Sequence, residues 1–236
     1  MASHDPKKTY YDSIYSRKGM SAMRPLWVYQ GWFKLLAPVV SGNAFLDVGC
    51  GTGLLLQTAA QAGLTTYGLD LSDAAVSLSR RNSPTSFVAQ GEGEHLPFPD
   101  ARFDYVSCIG SLEHYADLAQ GLRELHRVGK HDATYLIVVP NDNYLFWKIK
   151  KITKGTAQRE FEVLKNLDDW TSFFRHGGFR IVSVHQDKYP MKELRVFQYR
   201  NLYKIIRRLI YKLVWVFMPL RYTYQFVFVM KKHIPA

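Results

Sequence analysis

The feature that most constrains this chain is a short apolar run holding one acid, Ala44-Phe45-Leu46-Asp47-Val48, which opens directly into Gly49-Cys50-Gly51-Thr52-Gly53. A run this short and apolar reads as a strand buried on both faces. Glycines at alternate positions then let the backbone turn sharply and come close to a ligand before a helix begins. Alone, such a cluster is often just a tight turn. Here a second strand-like segment, Thr65 to Asp70, ends on a carboxylate 21 residues after Gly49. That spacing places an acid where it accepts both hydroxyls of a ribose. A dinucleotide fingerprint would need its third glycine at position 54, where this chain has Leu54, so a nicotinamide cofactor is a minor alternative.

Hydrophobic periodicity places strands at 44–48, 65–70, 86–89, 103–108, 133–139, 179–186 and 224–231, with helices near 23–39, 54–62, 73–81, 117–128, 167–176 and 201–217. The first five strands alternate with helices, which argues for a parallel sheet covered on both faces. Asp168 and Asp169 suit the first turn of a helix that Gly177-Gly178 can stop. The 236 residues suit one α/β domain with appendages. Cys50 and Cys108 give neither a disulfide framework nor metal-ligand spacing.

The ordered motifs resemble the class I S-adenosylmethionine-dependent methyltransferases, and within them the branch that includes the ubiquinone and menaquinone biosynthesis methyltransferases. The resemblance covers roughly residues 40 to 190. It implies a Rossmann-like, seven-stranded, mostly parallel sheet with helices on both faces and an antiparallel last strand beside the fifth. The chain divides accordingly into N-terminal cap helices (1–40), a cofactor-binding core (41–186), and a basic amphipathic insertion with the final strand of the same domain (187–236). Asp47 to Gly53 resembles the family's first motif, so Asp47, Gly49, Gly51 and Gly53 are expected to wrap the methionine part of S-adenosylmethionine. Asp70, followed by Leu71, matches the ribose-binding position. Gly91 to Asp100 resembles the family's Gly-Asp-Ala-Glu-x-Leu-Pro-Phe stretch, which makes Glu92, beside Gly93, the acceptor for the adenine amino group. Ile109 belongs to the fourth strand's active-site edge, and Val138-Val139-Pro140-Asn141 closes the fifth strand as it often does in this family.

Methyl transfer from a sulfonium is an in-line displacement, so positioning outweighs covalent chemistry. If the acceptor is a hydroxyl, a base must take its proton. His114, just beyond the fourth strand, is the candidate, with Glu113 to orient it or a substrate amine. The competing reading is that Glu113-His114 only forms a helix start behind the cofactor. Relatives that methylate catechol-like hydroxyls bind a divalent metal through Glu-x-x-Glu-His, but the first Glu of that pattern is Gly110 here, so no metal is expected. Asp104 reads as a structural acid, His126 as surface or core filling, and Glu94 and His95 as groups that solvate a loop. Tyr10, Tyr11 and Tyr15, with Arg17, Lys18 and Gly19, look like the cap that closes over the cofactor in similar enzymes.

The net charge of +11 is uneven: residues 188 to 236 hold 11 Lys or Arg against a single acid. Within this stretch Leu202, Ile205, Ile206, Leu209, Ile210, Leu213 and Phe217 share one helical stripe, while Lys204, Arg207, Arg208 and Lys212 fall opposite. The charges interrupt the apolar run before it reaches transmembrane length. The ordinary expectation is a stripe packed on the sheet or the substrate pocket. The alternative is peripheral contact with a membrane through 201–217, with Trp215, Phe217 and Met218 at the interface. The mixed aromatic and basic stretch at 141–166 suits an amphipathic or anionic acceptor. The expected acceptor is therefore a small molecule or a lipid- or glycan-like one. An RNA methyltransferase using the basic segment, or a non-catalytic cofactor-binding protein, are the alternatives. No separate RNA-binding module is visible, which argues against a nucleic-acid partner. The polar start of the chain reads as non-secreted, giving a cytoplasmic expectation with peripheral contact at the inner membrane face. Nothing in the sequence fixes an oligomeric state.

Overall fold

Seven strands form one sheet in the order β3-β2-β1-β4-β5-β7-β6. They are β1 (Ala44–Val48), β2 (Thr65–Asp70), β3 (Phe87–Gln90), β4 (Phe103–Ile109), β5 (Gly129–Pro140), β6 (Phe179–Gln186) and β7 (Gln225–Lys232). The computed structural model describes residues 6–145, 162–187 and 202–233. The middle of the acceptor-side stretch, 146–161, and the first part of the C-terminal insertion, 188–201, therefore lie outside the described residues.

β1 pairs parallel with β2 and β4, β2 with β3, and β4 with β5, while β7 lies antiparallel between β5 and β6. The mostly parallel sheet with its antiparallel last strand is as the sequence implies. All five residues of β1 are buried, as a central parallel strand covered on both faces requires. One apolar layer centres on Phe103, Tyr135, Trp170 and Phe228, the other on Trp32, Phe45, Leu55 and Leu136. The chain runs outward from β1 to β2 and β3, then returns to β4 on the other side of β1. That reversal opens a crevice at the carboxyl ends of β1 and β4, where open α/β sheets bind ligands.

The helices begin and end where their sequences dictate. α1 (Pro6–Lys18) starts on proline and carries basic residues in its last turn. It stops at Gly19, whose φ is +51°. α2 (Leu26–Phe33) is shorter than the expected 23–39, and a 3₁₀ turn at 34–36 follows it. Pro25 and Pro38 push the residues before them toward extended backbone, and Ala37 is at φ −64°, ψ 147°. α3 (Leu54–Gln61), α4 (Asp73–Asn82), α5 (Leu118–Val128) and α6 (Leu167–His176) cover the sheet. Ser72, Asp117 and Asn166 cap the last three through side-chain oxygens that accept from backbone N–H groups. Trp170 is fully buried, and its Nε1 donates to Pro140 O at 2.9 Å, fixing α6 against the end of β5. β5 begins four residues before its expected start because Gly129 already pairs with Phe103.

α7 (Leu202–Val216) departs from the ordinary expectation for an amphipathic helix. Ile206, Leu209, Ile210, Leu213 and Phe217, all on the sequence-derived stripe, are exposed, whereas Trp215 and Met218 are buried. The stripe is thus not the packed face, and Trp215 and Met218 are not the interfacial residues the sequence suggested. Trp215 lies on the opposite side of the helix from Leu213 and Phe217, and its large ring is what anchors α7. Among the described residues, no helix is long and apolar enough to cross a membrane.

Candidate active site

The turn after β1 is held by its neighbours before any ligand arrives. Gly49 N and Cys50 N both donate to Leu69 O, at 2.7 and 3.0 Å, tying the turn to β2. Gly49, at φ +74°, faces Ser111 so closely that any Cβ would collide with the hydroxyl. Gly53, at φ +79°, forms the N-cap of α3, and a Cβ there would sit 2.9 Å from Ser79 Cα. Left-handed backbone costs an L-residue about 1–2 kcal/mol and an overfilled site about 1–3 more. Gly53→Ala is therefore expected to destabilise the protein by about 2–5 kcal/mol. Urea unfolding measures it, and an unchanged midpoint would mean that the Ser79 backbone yields freely.

Asp70 closes the other side of the crevice. Gly51 N–H donates to its Oδ2 at 2.7 Å and Ser72 N–H to its Oδ1 at 3.0 Å. Each carboxylate oxygen has two lone-pair sites, so both retain capacity toward the cavity. Asp47 is placed differently from expectation. Its side chain lies beneath the turn and accepts from Ser107 Oγ at 2.6 Å, and Asp47 does not line the cavity. Gly51 and Gly53 are likewise absent from the lining; Gly51 lies under Tyr15 and Met23 of the N-terminal segment.

The cavity itself has a volume of about 840 Å³. Gly49, Asp70, Leu71, Glu92, Gly93 and Ile109 line one part of it, and Glu113 and His114 another. The Glu92 side chain is largely exposed and stands 3.7 Å from His95 Nδ1. Glu94 does more than solvate its loop: its carboxylate accepts from Ala116 N at 2.7 Å and its carbonyl from Gln120 Nε2 at 3.1 Å, joining the 91–95 loop to the start of α5. Asp104 is structural, as expected, accepting from Ala44 N and Lys130 Nζ. His126 packs edge-on against Phe179.

α1 lies over this cavity. Asp12 accepts from Ser72 Oγ at 2.5 Å and from Lys8 Nζ at 2.7 Å, and Lys8 also reaches Asp73. Lys7 Nζ donates to His114 O at 2.6 Å, and the Tyr11 ring meets the His114 ring edge-on at 5.7 Å. Tyr11 and Tyr15, but not Tyr10, thus contribute directly to the cavity wall.

Two residues at this site carry no local signal in the sequence. Glu162 comes from a segment after β5, where Val163 N donates to Glu113 O at 2.8 Å. Its Oε1 lies 3.9 Å from His114 Nε2, the same distance as Glu113 Oε1. Two carboxyl groups therefore approach the same imidazole nitrogen, and Glu113 Oε2 is buried with no hydrogen-bond partner among the described residues. The second is Arg24, which hydrogen-bonds Gln225, lies 3.5 Å from the fully buried Asp187, and stacks over the Trp32 ring. Among the described residues, no group of three or more His, Cys, Asp or Glu side chains is placed to hold a metal ion.

Burial raises three carboxyls together. It pushes Asp70 up to about 6, Asp47 to about 7 and Glu113 to about 8, with the Asp70 charge adding to the effect at Asp47 and Glu162 to that at Glu113. Unfolded carboxyls titrate near 4, so the folded state holds these protons more tightly. Their contribution to stability is full below about 4 and is lost as pH rises through the folded values. A ligand whose hydroxyls donate to Asp70 favours the ionised form. Its affinity is therefore expected to fall about tenfold per pH unit below about 6. Calorimetric titration across pH 5 to 8 tests this, and a flat profile would remove Asp70 as the coupled group.

Comparison with known proteins points one way. A family described as "Methyltransferase domain" matches residues 46–137. An uncharacterized methyltransferase of Synechocystis is 32% identical over 163 residues, covering 67% of this chain and 76% of the relative. The ubiquinone biosynthesis O-methyltransferase of Pseudomonas paraeruginosa is 33% identical, covering 61% of this chain and 68% of the relative. Among solved structures, phosphoethanolamine N-methyltransferase 2 of Haemonchus contortus, in complex with S-adenosyl-L-methionine, superposes with a TM-score of 0.67 at 19% identity. It matches 96% of this chain and 56% of its own, a likeness of fold.

Proposed function

The chain belongs to the class I S-adenosylmethionine-dependent methyltransferases, and from that premise we propose that it methylates a hydroxyl of a small or lipid-like acceptor, reached at a membrane face through the helix at 201–217. The carrying observation is that one cavity of about 840 Å³ joins the cofactor turn to the Glu113–His114–Glu162 group, leaving room for an acceptor beside the cofactor. The relative named for O-methylation in ubiquinone biosynthesis supports a hydroxyl acceptor.

The residues present fit the cofactor. Gly49 lines the cavity, and Asp70 has lone pairs free for ribose hydroxyls. Glu92 stands in the cavity wall for the adenine amino group. When bound, S-adenosylmethionine supplies an electrophilic methyl group on a sulfonium. Asp47 acts from below, holding the turn through Ser107.

On the acceptor side, His114 Nε2 takes the hydroxyl proton. Glu162 then lies where its negative charge stabilises the imidazolium that forms. Glu113, pushed up to about 8, is mostly neutral at pH 7 and can donate a hydrogen bond from its buried carboxyl. Tyr11 and α1 cover the group, limiting water around a reactive sulfonium. The test is incubation with methyl-labelled S-adenosylmethionine and fractionated cell extract. Label in organic-extractable or small soluble compounds supports the reading. Label in RNA replaces the acceptor, and no transfer to any pool overturns it.

A further inference from the structure

We infer that the exposed face of α7 docks on an anionic lipid surface and brings the acceptor side of the cavity to it. The inference rests on the proposed lipid-like acceptor and names the partner surface.

At about 100° per residue, Ile206, Leu209, Ile210, Leu213, Val216 and Phe217 fall within one arc of about 120° on the side away from Trp215. All six are exposed, Leu213 by 58% and Phe217 by 78%, while Trp215 is buried. One side of the helix is thus fixed to the protein and the other is a continuous apolar face turned to solvent. Contiguous apolar surface of this kind marks a binding surface, and a helix with such a face and adjoining cations suits the boundary between headgroups and acyl chains. Lys212 on α7 and Arg221 just beyond it are exposed. The whole 188–236 stretch carries 11 basic residues against one acid.

Charge selects among occupants. A second copy would bring an equally basic stretch against this one, and like charges repel. An anionic bilayer complements the cations and accepts the apolar side chains at once. RNA would match the charge but leave the aliphatic residues without partners.

The location links this face to catalysis. α7 passes through a 3₁₀ turn at Leu220–Tyr222 into Tyr224 and Gln225, both of which line the cavity. Asn141 Nδ2 pins this connection, donating to Arg221 O at 3.0 Å and Thr223 O at 2.7 Å. Seven residues separate Phe217 from Tyr224, so the chain holds the two within about 25 Å. An acceptor dissolved in the bilayer needs only that distance to reach the cavity.

The experiment is flotation of the full chain with vesicles of phosphatidylcholine alone and of phosphatidylcholine with phosphatidylglycerol. Binding is expected on the anionic vesicles and to weaken with added salt. Leu213→Asp combined with Phe217→Asp is expected to lower it at least tenfold, and Lys212→Glu about fivefold. Circular dichroism and cofactor affinity, both expected unchanged, show that the variants fold. Lack of binding to anionic vesicles overturns the inference, as does equal binding by the double variant. So does a wild-type dimer that the double variant splits in sedimentation, since a second copy would then cover the face. Methyl transfer is measured on the same preparations. Transfer without flotation removes only the membrane surface, and flotation without cofactor binding removes the enzymatic reading instead.

Discussion

Replacing His114 by alanine is expected to lower turnover about 10²- to 10⁴-fold while leaving cofactor affinity nearly unchanged, the range for loss of a positioned general base. The imidazole lines the same cavity as Asp70 and Gly49, and the proposed acceptor would meet it there. Glu162→Gln separates proton transfer from mere packing. If the carboxylate stabilises the imidazolium, the variant loses turnover and its rate profile shifts toward lower pH, because a neutral amide no longer favours protonated His114. Glu162→Asp, which keeps the charge, should recover part of the rate. Turnover of His114→Ala equal to the parent would make Glu113-His114 a structural element behind the cofactor. An unshifted profile in Glu162→Gln would limit Glu162 to filling the wall.

The second large effect belongs to the cofactor. Asp70→Ala is expected to weaken S-adenosylmethionine binding about 10²- to 10⁴-fold. Hydrogen bonds to a charged acceptor contribute about 1.5–3 kcal/mol each, and the proposed site gives Asp70 two ribose hydroxyls. Part of the loss has a different origin, since the same carboxylate anchors the N–H groups of Gly51 and Ser72. Asp70→Asn keeps one acceptor oxygen and should fall between the parent and alanine. Titration calorimetry reads the affinities directly. Near-parental binding by Asp70→Ala would mean that the ribose is held elsewhere. Arg24→Ala makes a useful contrast, because it removes the contacts to Asp187 and Gln225 while leaving the turn's own hydrogen bonds in place.

How far the sequence reaches is clearest at β1 and β2. A buried strand followed by glycines, then a strand ending in an acid, are local patterns, and the parallel pairing of Ala44–Val48 with Thr65–Leu69 follows from burying both faces of each. The antiparallel place of β7 came from family resemblance, since periodicity marks a strand but not its neighbours. Asp47 shows the limit within a motif: its position in the chain was evident, but its aim toward Ser107 depended on β4 lying alongside.

By itself, then, the sequence determined the strands, the left-handed glycine turn and the carboxylate at the end of β2, because backbone sterics and hydrophobic alternation act over a few residues. Tertiary structure alone decided that Glu162, 48 residues beyond His114, would stand beside its imidazole. It also decided that Arg24 would meet Gln225, 201 residues away, and that Trp215 would anchor α7 with Leu213 and Phe217 facing outward. Helical periodicity identifies a stripe but not which side finds a partner, since that depends on the shape of the surface the helix meets. Contacts between distant segments form only once the sheet and its crossovers fix where each loop ends.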